Sequence, residues 1–473
     1  MCTIHRDSGW LGGEVFLKKL FSMSKEDIRE IRGMFIPVFI EQLTIALMAM
    51  LVSAMVKGSG MAAVASVNLL NSLVMLLQQA YTSIGVGVTV VVAQFLGRRD
   101  LKSTGRAAGQ AIMLSVYISL FIMAGSFLFL EQLLGMMLGA SEPLVYAYSR
   151  TYLIYNVLSL PFIAIYTVAS ASIRGSGFPR MSLIATLIHN GGYAILGLLA
   201  VNVFHAGLEG VSMALLASRV IAAAASMYLL YRGNANMQVR KIPFKLEKEI
   251  MAPVFKVGIP LFLEQLLFQG GRLITQTFSV AFGTNGIAAN GIVNNIHSLQ
   301  IVPGTAINNA APPIIAKYCG MGDKVEAKRK GYQFIMLCTV FLVVTSLGIF
   351  LLLGPLTSLF TDVPAVANEV ISTFSLICLM VSIFWPMGFT IPAILHSSGD
   401  VVFTSAVTVS AMALMRIGIA YYFTQIARVG ITGIWFGMYA DWIFRIAFLL
   451  PRFIKGKWLE KELIKSDKKK AAA

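Results

Sequence analysis

The sequence predicts an all-α membrane protein, with twelve transmembrane helices in two parallel six-helix repeats. Three observations lead there. The chain is too apolar to be covered by water, its apolar residues fall into twelve blocks of membrane-spanning length, and its two halves repeat one another.

Of 473 residues, 57% are hydrophobic and 13% charged, with a mean hydropathy of +0.76. A typical soluble chain carries about 25% charged residues. These proportions exclude a secreted disulfide scaffold, a disordered chain and an ordinary cytosolic α/β enzyme. The formal net charge of +16 sits mostly in short segments between apolar blocks, which points to membrane orientation and not to a nucleic-acid partner. Cys2, Cys319, Cys338 and Cys378 form no C-x-x-C pair, so packed, inert thiols are expected. No small-residue cleavage site follows the first apolar block, and no removable signal peptide is expected.

A spanning helix needs about 20 predominantly apolar residues. In the first half the blocks run over 34–56, 64–95, 108–130, 144–172, 180–203 and 208–231. In the second they run over 252–282, 289–316, 331–354, 366–394, 401–425 and 431–451. Prolines inside several of them are tolerable where neighbouring helices or waters satisfy the freed carbonyls. This divides the chain into a leader (1–33), a first lobe (34–231), a basic linker (232–251), a second lobe (252–458) and a basic tail (459–473). Of 38 Lys and Arg, 31 fall on one side of the resulting topology, and Lys57 and Arg428 alone on the other. Both termini are therefore expected in the cytoplasm. The loop after block ten fits least well, carrying Asp400 and no basic residue. Ala471–Ala473 resembles an expression scar, to which no function is assigned.

Self-comparison is more specific. Pro37-Val38-Phe39-Ile40-Glu41-Gln42-Leu43 reappears as Pro260-Leu261-Phe262-Leu263-Glu264-Gln265-Leu266, an offset of 223. Ala93, Gly97, Asp100, Arg106 and Gln110 match Ala316, Gly320, Asp323, Arg329 and Gln333 at the same offset, and Gly207 and Gly210 match Gly430 and Gly433. Ser176-Gly177 matches Ser398-Gly399 at 222. Six helices per half is an even number, so the repeats are parallel. Such halves build secondary transporters with a site near the midplane between them.

Charged side chains in the bilayer cost at least about 2.5–3.5 kcal/mol, so each is a functional candidate. Glu41 and Glu264 each follow a helix proline by four residues, which places carboxyls at matching depth in both lobes as candidate cation-coupling groups. Either they exchange protons or pair with a cationic substrate, or they stay protonated and bond a neighbouring helix. Gln42, Gln265, Asn68, Asn190 and Asn294 are candidate cavity residues, though amides in bundles also serve as interhelical glue. Arg272 lies two turns beyond Glu264 and is either its partner or a receptor for an anionic substrate. Asp441 and Arg445, spaced i, i+4, read as an ion pair on one helix face. No G-x-x-x-x-G-K-[ST] segment occurs, so transport is expected to run on an ion gradient. No catalytic triad or metal constellation appears, and an enzyme is not expected.

Taken together, the residues resemble the multidrug and toxic compound extrusion (MATE) family from about Lys25 to Trp458. The resemblance rests on Pro37-x-x-x-Glu41-Gln42, Val92-Ala93-Gln94-Phe95-Leu96-Gly97, Arg174-Gly175-Ser176-Gly177, Gly258-Ile259-Pro260 and Ser397-Ser398-Gly399-Asp400. It implies V-shaped lobes in the inner membrane, working by alternating access as an antiporter for lipophilic or cationic organic compounds. H+ or Na+ would be the coupling ion, with no other cofactor. The partners implied are small organic cations or drugs and membrane lipids, and the unit is expected to be a monomer. Where many members carry an acid late in helix one this chain has Val52. On helix five Asn190 is kept, with Ala194 and Gly197 beyond it, and Phe268 replaces a helix-seven Glu. Two rival readings are a major-facilitator protein and a lipid-linked-sugar flippase whose cationic cavity grips a pyrophosphate. Arg272 favours the second of these, and a receptor or scaffold has no use for paired buried carboxylates.

Overall fold

The computed structural model describes residues 23–139, 142–232, 237, 246–461 and 463–464. Cys2, most of the leader and the trailing alanines lie outside them. Among the described residues, twelve helical legs make up the bundle. In the first half these are α1 (Lys25–Lys57), α2 (Met61–Gly97), α3 (Leu101–Leu128), α4 (Pro143–Leu158 continued by Leu160–Gly175), α5 (Pro179–Asn202) and α6 (Gly207–Arg232). In the second they are α7 (Lys248–Thr277), α8 (Gly283–Gln300 continued by Val302–Met321), α9 (Lys324–Leu351), α10 (Pro364–Trp385 continued by Ile391–Ser398), α11 (Val401–Ser410 with the irregular turns that follow) and α12 (Thr432–Lys455).

Among the described residues, ten helical stretches are long and apolar enough to cross a membrane, or eleven when the two pieces of α4, bent by 49°, count as one. The stretch Lys248–Gln300 counts once in that tally, yet its 53 residues would extend about 80 Å, far beyond one bilayer core of about 30 Å. It divides at Gly283, where φ is +68°, into α7 and the start of α8. The corresponding turn in the first half is Gly60, with φ +92°, again 223 residues earlier.

Local capping repeats as well. Asp100 accepts from the Ser103 N–H at 2.9 Å to open α3, and Asp323 accepts from the Glu326 N–H at 3.0 Å to open α9. At α1, Ser24 and Asp27 form a capping box, satisfying two of the orphaned donors of a helix start.

Two hydrophobic cores result, and they do not follow the sequence halves strictly. Ile31, Met34, Phe35 and Val38 of α1 pack into the second half's core, while Met48, Met55 and Val56 of the same helix join the first. Conversely, Ile250, Met251, Val254 and Val257 of α7 lie in the first half's core. The first leading helix thus crosses from one core to the other beyond its proline, Pro37, whereas α7 stays in the first half's core through Leu261, just past Pro260. Large apolar side chains such as Phe121 and Leu128 remain exposed on the periphery, as a lipid-facing surface requires.

The end of the bundle that holds the basic segments is closed. A β-carbon added at Gly97 would stand 2.1 Å from the Lys317 carbonyl oxygen, and one at Gly320 would stand 2.2 Å from that of Gln94. No other residue permits that approach of α2 to α8. Ion pairs surround it: Asp27 with Lys330 at 2.8 Å and Arg329 at 2.6 Å, and Glu30 with Lys330 at 2.7 Å. The acid-only loop after α10 also finds its counter-charge here, since Asp400 pairs with Arg452 at the far end of α12.

Candidate functional site

Above this closure lies a cavity of about 470 Å³ between the halves. The first half contributes Gln79 and Thr82 of α2 and Arg174 of α4; the second contributes Glu264, Gln265 and Phe268 of α7, Asn308 of α8, His396 of α10 and Arg445 of α12. Apolar walls with a few convergent charges are the usual make-up of a small-molecule site.

The two repeat carboxylates have different surroundings. Glu41 is 5% exposed and receives Arg174 Nη1 at 2.8 Å on Oε1 and the Ser182 hydroxyl at 3.3 Å on Oε2. The same guanidinium nitrogen lies 2.9 Å from Ser182 Oγ. Glu41 is therefore a charge-compensated group behind the cavity wall and does not have the uncompensated carboxyl that its depth alone suggests. Glu264, equally buried, accepts from the Ser405 hydroxyl at 2.7 Å and forms no ion pair among the described residues. Ser182 and Ser405 are mates at the repeat offset of 223. In the local register of 222, Arg174 corresponds to His396. The imidazole faces the same cavity, and its buried Nε2 has no hydrogen-bond partner.

Asp441 and Arg445 form the ion pair their spacing predicts, at 2.8 and 3.1 Å. Arg445 also stacks over the Phe268 and Phe389 rings at 5.3 and 5.1 Å. In the first half Arg219 is buried and bonds Ser159 Oγ at 2.5 Å and Asn156 Oδ1 at 3.3 Å, which secures the break in α4.

Of the predicted cavity residues, Glu264 and Gln265 line the large cavity. Arg272 and Asn294 line a separate, smaller one, so Arg272 is not the partner of Glu264. Gln42, Asn68 and Asn190 are not among the residues lining the large cavity; Asn68 is exposed, and Asn190 is buried with Nδ2 unpartnered. The sequence reading missed Arg174, which it counted as a loop residue, and also Ser182, Ser405 and His396. The same offset that paired the glutamates would have paired the serines. Among the described residues no cluster of three or more His, Cys, Asp or Glu could hold a metal ion.

Two repeated six-helix units, a cavity between them and a closed end define a two-lobed membrane transporter. The MatE family profile matches residues 37–199 and again 260–422, and the chain belongs to that family. It is 25% identical over 462 residues to a probable multidrug resistance protein, NorM, of Thermotoga maritima, covering 95% of this chain and 97% of that one. It is 27% identical to the uncharacterized transporter YisQ of Bacillus subtilis, over 90% of this chain and 94% of that one. With the multidrug export protein MepA of Staphylococcus aureus it shares 26% over 77% and 80% of the two chains. Among solved structures, a MATE protein in the straight conformation superposes with a TM-score of 0.85 at 21% identity, covering 94% of this chain and 99% of that one. A superfamily transporter from Pyrococcus furiosus superposes at 0.86 and 20%, covering 94% and 98%.

Proposed function

We propose that the protein is a secondary antiporter that exports lipophilic or cationic organic compounds by alternating access, with both termini in the cytoplasm and Glu264 as the coupling carboxylate. One observation carries the reading: Glu264 lines the cavity between the halves with a hydroxyl on it and, among the described residues, no ion pair. A carboxyl so placed gains or loses a proton without stranding a buried partner, which suits it to exchange H+. Glu41 and Asp441 each hold an arginine and lack that freedom. Phe268, Phe389 and the amides of Gln79, Gln265 and Asn308 supply the adaptable apolar and polar contacts a varied cargo needs. The names of the NorM and MepA relatives, concerned with drug resistance and export, support the cargo class.

The test is a proteoliposome assay in which ΔpH and a Na+ gradient are imposed separately and a fluorescent lipophilic cation is followed. Uptake driven by ΔpH is expected, together with its loss in Glu264→Gln, whose amide fills the same volume. Transport responding to neither gradient would remove the antiporter reading.

A further inference from the structure

We propose that the part of the second half remote from the basic end forms a binding site for an anionic group: the carboxylate of a transported compound or a free chloride ion. This deepens the transport reading by naming a feature of the cargo, and it rests on that reading for the carboxylate alone.

The site is a small cavity of about 20 Å³ lined by Arg272, Gln276, Asn290, Asn294, Arg416 and Trp435. That volume takes one water-sized group. A second cavity, of about 200 Å³, shares Arg272 and Gln276 and reaches across to Asn71 and Ser72 of α2. A cargo seated between the halves could therefore extend a charged substituent past Arg272.

Charge counting gives the sign. Asp441 is the acid in ion-pair contact with this cluster. Arg445 takes both of its oxygens, while Arg416 stands off at 3.8 Å. One carboxylate cannot balance three guanidiniums. The Arg272 guanidinium has no ion pair and no hydrogen bond among the described residues, and Arg416 faces the same cavity from the wide turn Ala411–Ile417, a geometry often found at functional positions.

The unpartnered polar atoms agree with that sign. Arg416 Nε and Trp435 Nε1 are buried donors with no acceptor, and Trp435 is only 3% exposed. The nearby acceptor Asn290 Oδ1 is engaged by Asn294 Nδ2 at 3.3 Å. His297 packs edge-on to Trp435 at 5.3 Å and turns Nδ1 to Gln300. Two guanidiniums and an indole N–H converging on one small space repel a cation. Arg272, exposed at the rim of the cavity, adds its guanidinium from the open side. Water would satisfy the donors and leave the charge of the largely buried Arg416 unbalanced. An anion does both.

The test uses the purified full chain in detergent and chloride-free gluconate buffer, with equilibrium dialysis of two dyes. Tetramethylrhodamine is a zwitterion, and its methyl ester is a cation of nearly the same shape. The wild-type protein is expected to bind the zwitterion about tenfold tighter, which is one charge-assisted contact of about 1.4 kcal/mol. Arg272→Gln should bring the two dyes together while leaving the ester's affinity unchanged, and Arg272→Lys should keep most of the preference. Added chloride should weaken the zwitterion and not the ester. If instead the dyes bind alike but chloride raises the melting temperature of the wild type and not of Arg272→Gln, the site holds and its source is the free ion. Equal dye binding with no chloride effect overturns the proposal, as does a preference that survives Arg272→Gln combined with Arg416→Gln. Binding is read without a gradient. A protein that transports nothing in liposomes sinks the antiporter reading and leaves this one standing.

Discussion

Glu41 and Glu264 occupy equivalent places in the two halves, each with a serine from the fifth helix of its own half, Ser182 or Ser405. They differ in the third member. The first half supplies Arg174, which bonds its glutamate, and the second has at that position His396, which lines the same cavity as Glu264 with its Nε2 unpartnered. One scaffold therefore holds an ion pair on one side and, among the described residues, a carboxyl bonded only by a hydroxyl on the other. A duplicated fold need not keep duplicated contacts: the repeat preserves the carboxylate and the serine and changes the residue at the third position.

The largest effect should come from removing the free carboxyl. Glu264→Gln is expected to abolish gradient-driven transport with the fold retained, while Glu41→Gln loses less or equally. Comparable wild-type activity in a folded Glu264→Gln protein would show that residue to be structural. His396→Arg would make the second site like the first. It should fix Glu264 as an anion and suppress ΔpH-driven transport nearly as far, with dye binding in detergent preserved; full transport would break the contrast drawn between the sites.

Closure at the basic end comes next. Gly320→Leu places its β-carbon on the Gln94 carbonyl, so turnover should fall at least about tenfold, equivalent to about 1.4 kcal/mol on the rate-limiting step, with ligand binding unaffected. Arg174→Ala leaves a buried carboxylate uncompensated, a defect of about 3–5 kcal/mol. A lowered melting temperature is expected, recovered in Arg174→Ala combined with Glu41→Gln. The smallest effect should follow Asp27→Asn. Lys330 keeps Glu30 as a partner, so a drop of a few degrees and faster thiol labelling near Gly97 are the expected readouts.

Hydropathy and the 223-residue offset made the helices and the two halves legible, because lipid imposes length and composition on every leg. The glutamates were legible for the same reason: charge is expensive there. Their partners were not. Arg174 reads as a loop cation because it ends its helix, and only tertiary packing turns it toward Glu41. His396 sits in an unremarkable apolar stretch. Arg272 stood out by cost, but Arg416 and Trp435 reach it from helices about 140 and 160 residues away, and no local pattern announces that meeting. The crossing of α1 between the cores and the packing of α7 into the first half's core were likewise invisible, since an apolar face has the same composition whichever core receives it.

The closed end has a property of its own. Gly97 meets Lys317, and Gly320 meets Gln94; Gln94 and Lys317 are themselves mates at 223. Residue i of one half touches residue j of the other, and j of the first touches i of the second. That reciprocity is the signature of an isologous two-fold dimer. With α1 and α7 each lent to the opposite core, the single chain has the form of a swapped homodimer whose subunits have been joined end to end. At the joint, Met237 and Ile250 are buried in the first half's core and the Glu247 N–H donates to Gln110 of α3, so its described residues are anchored to that half.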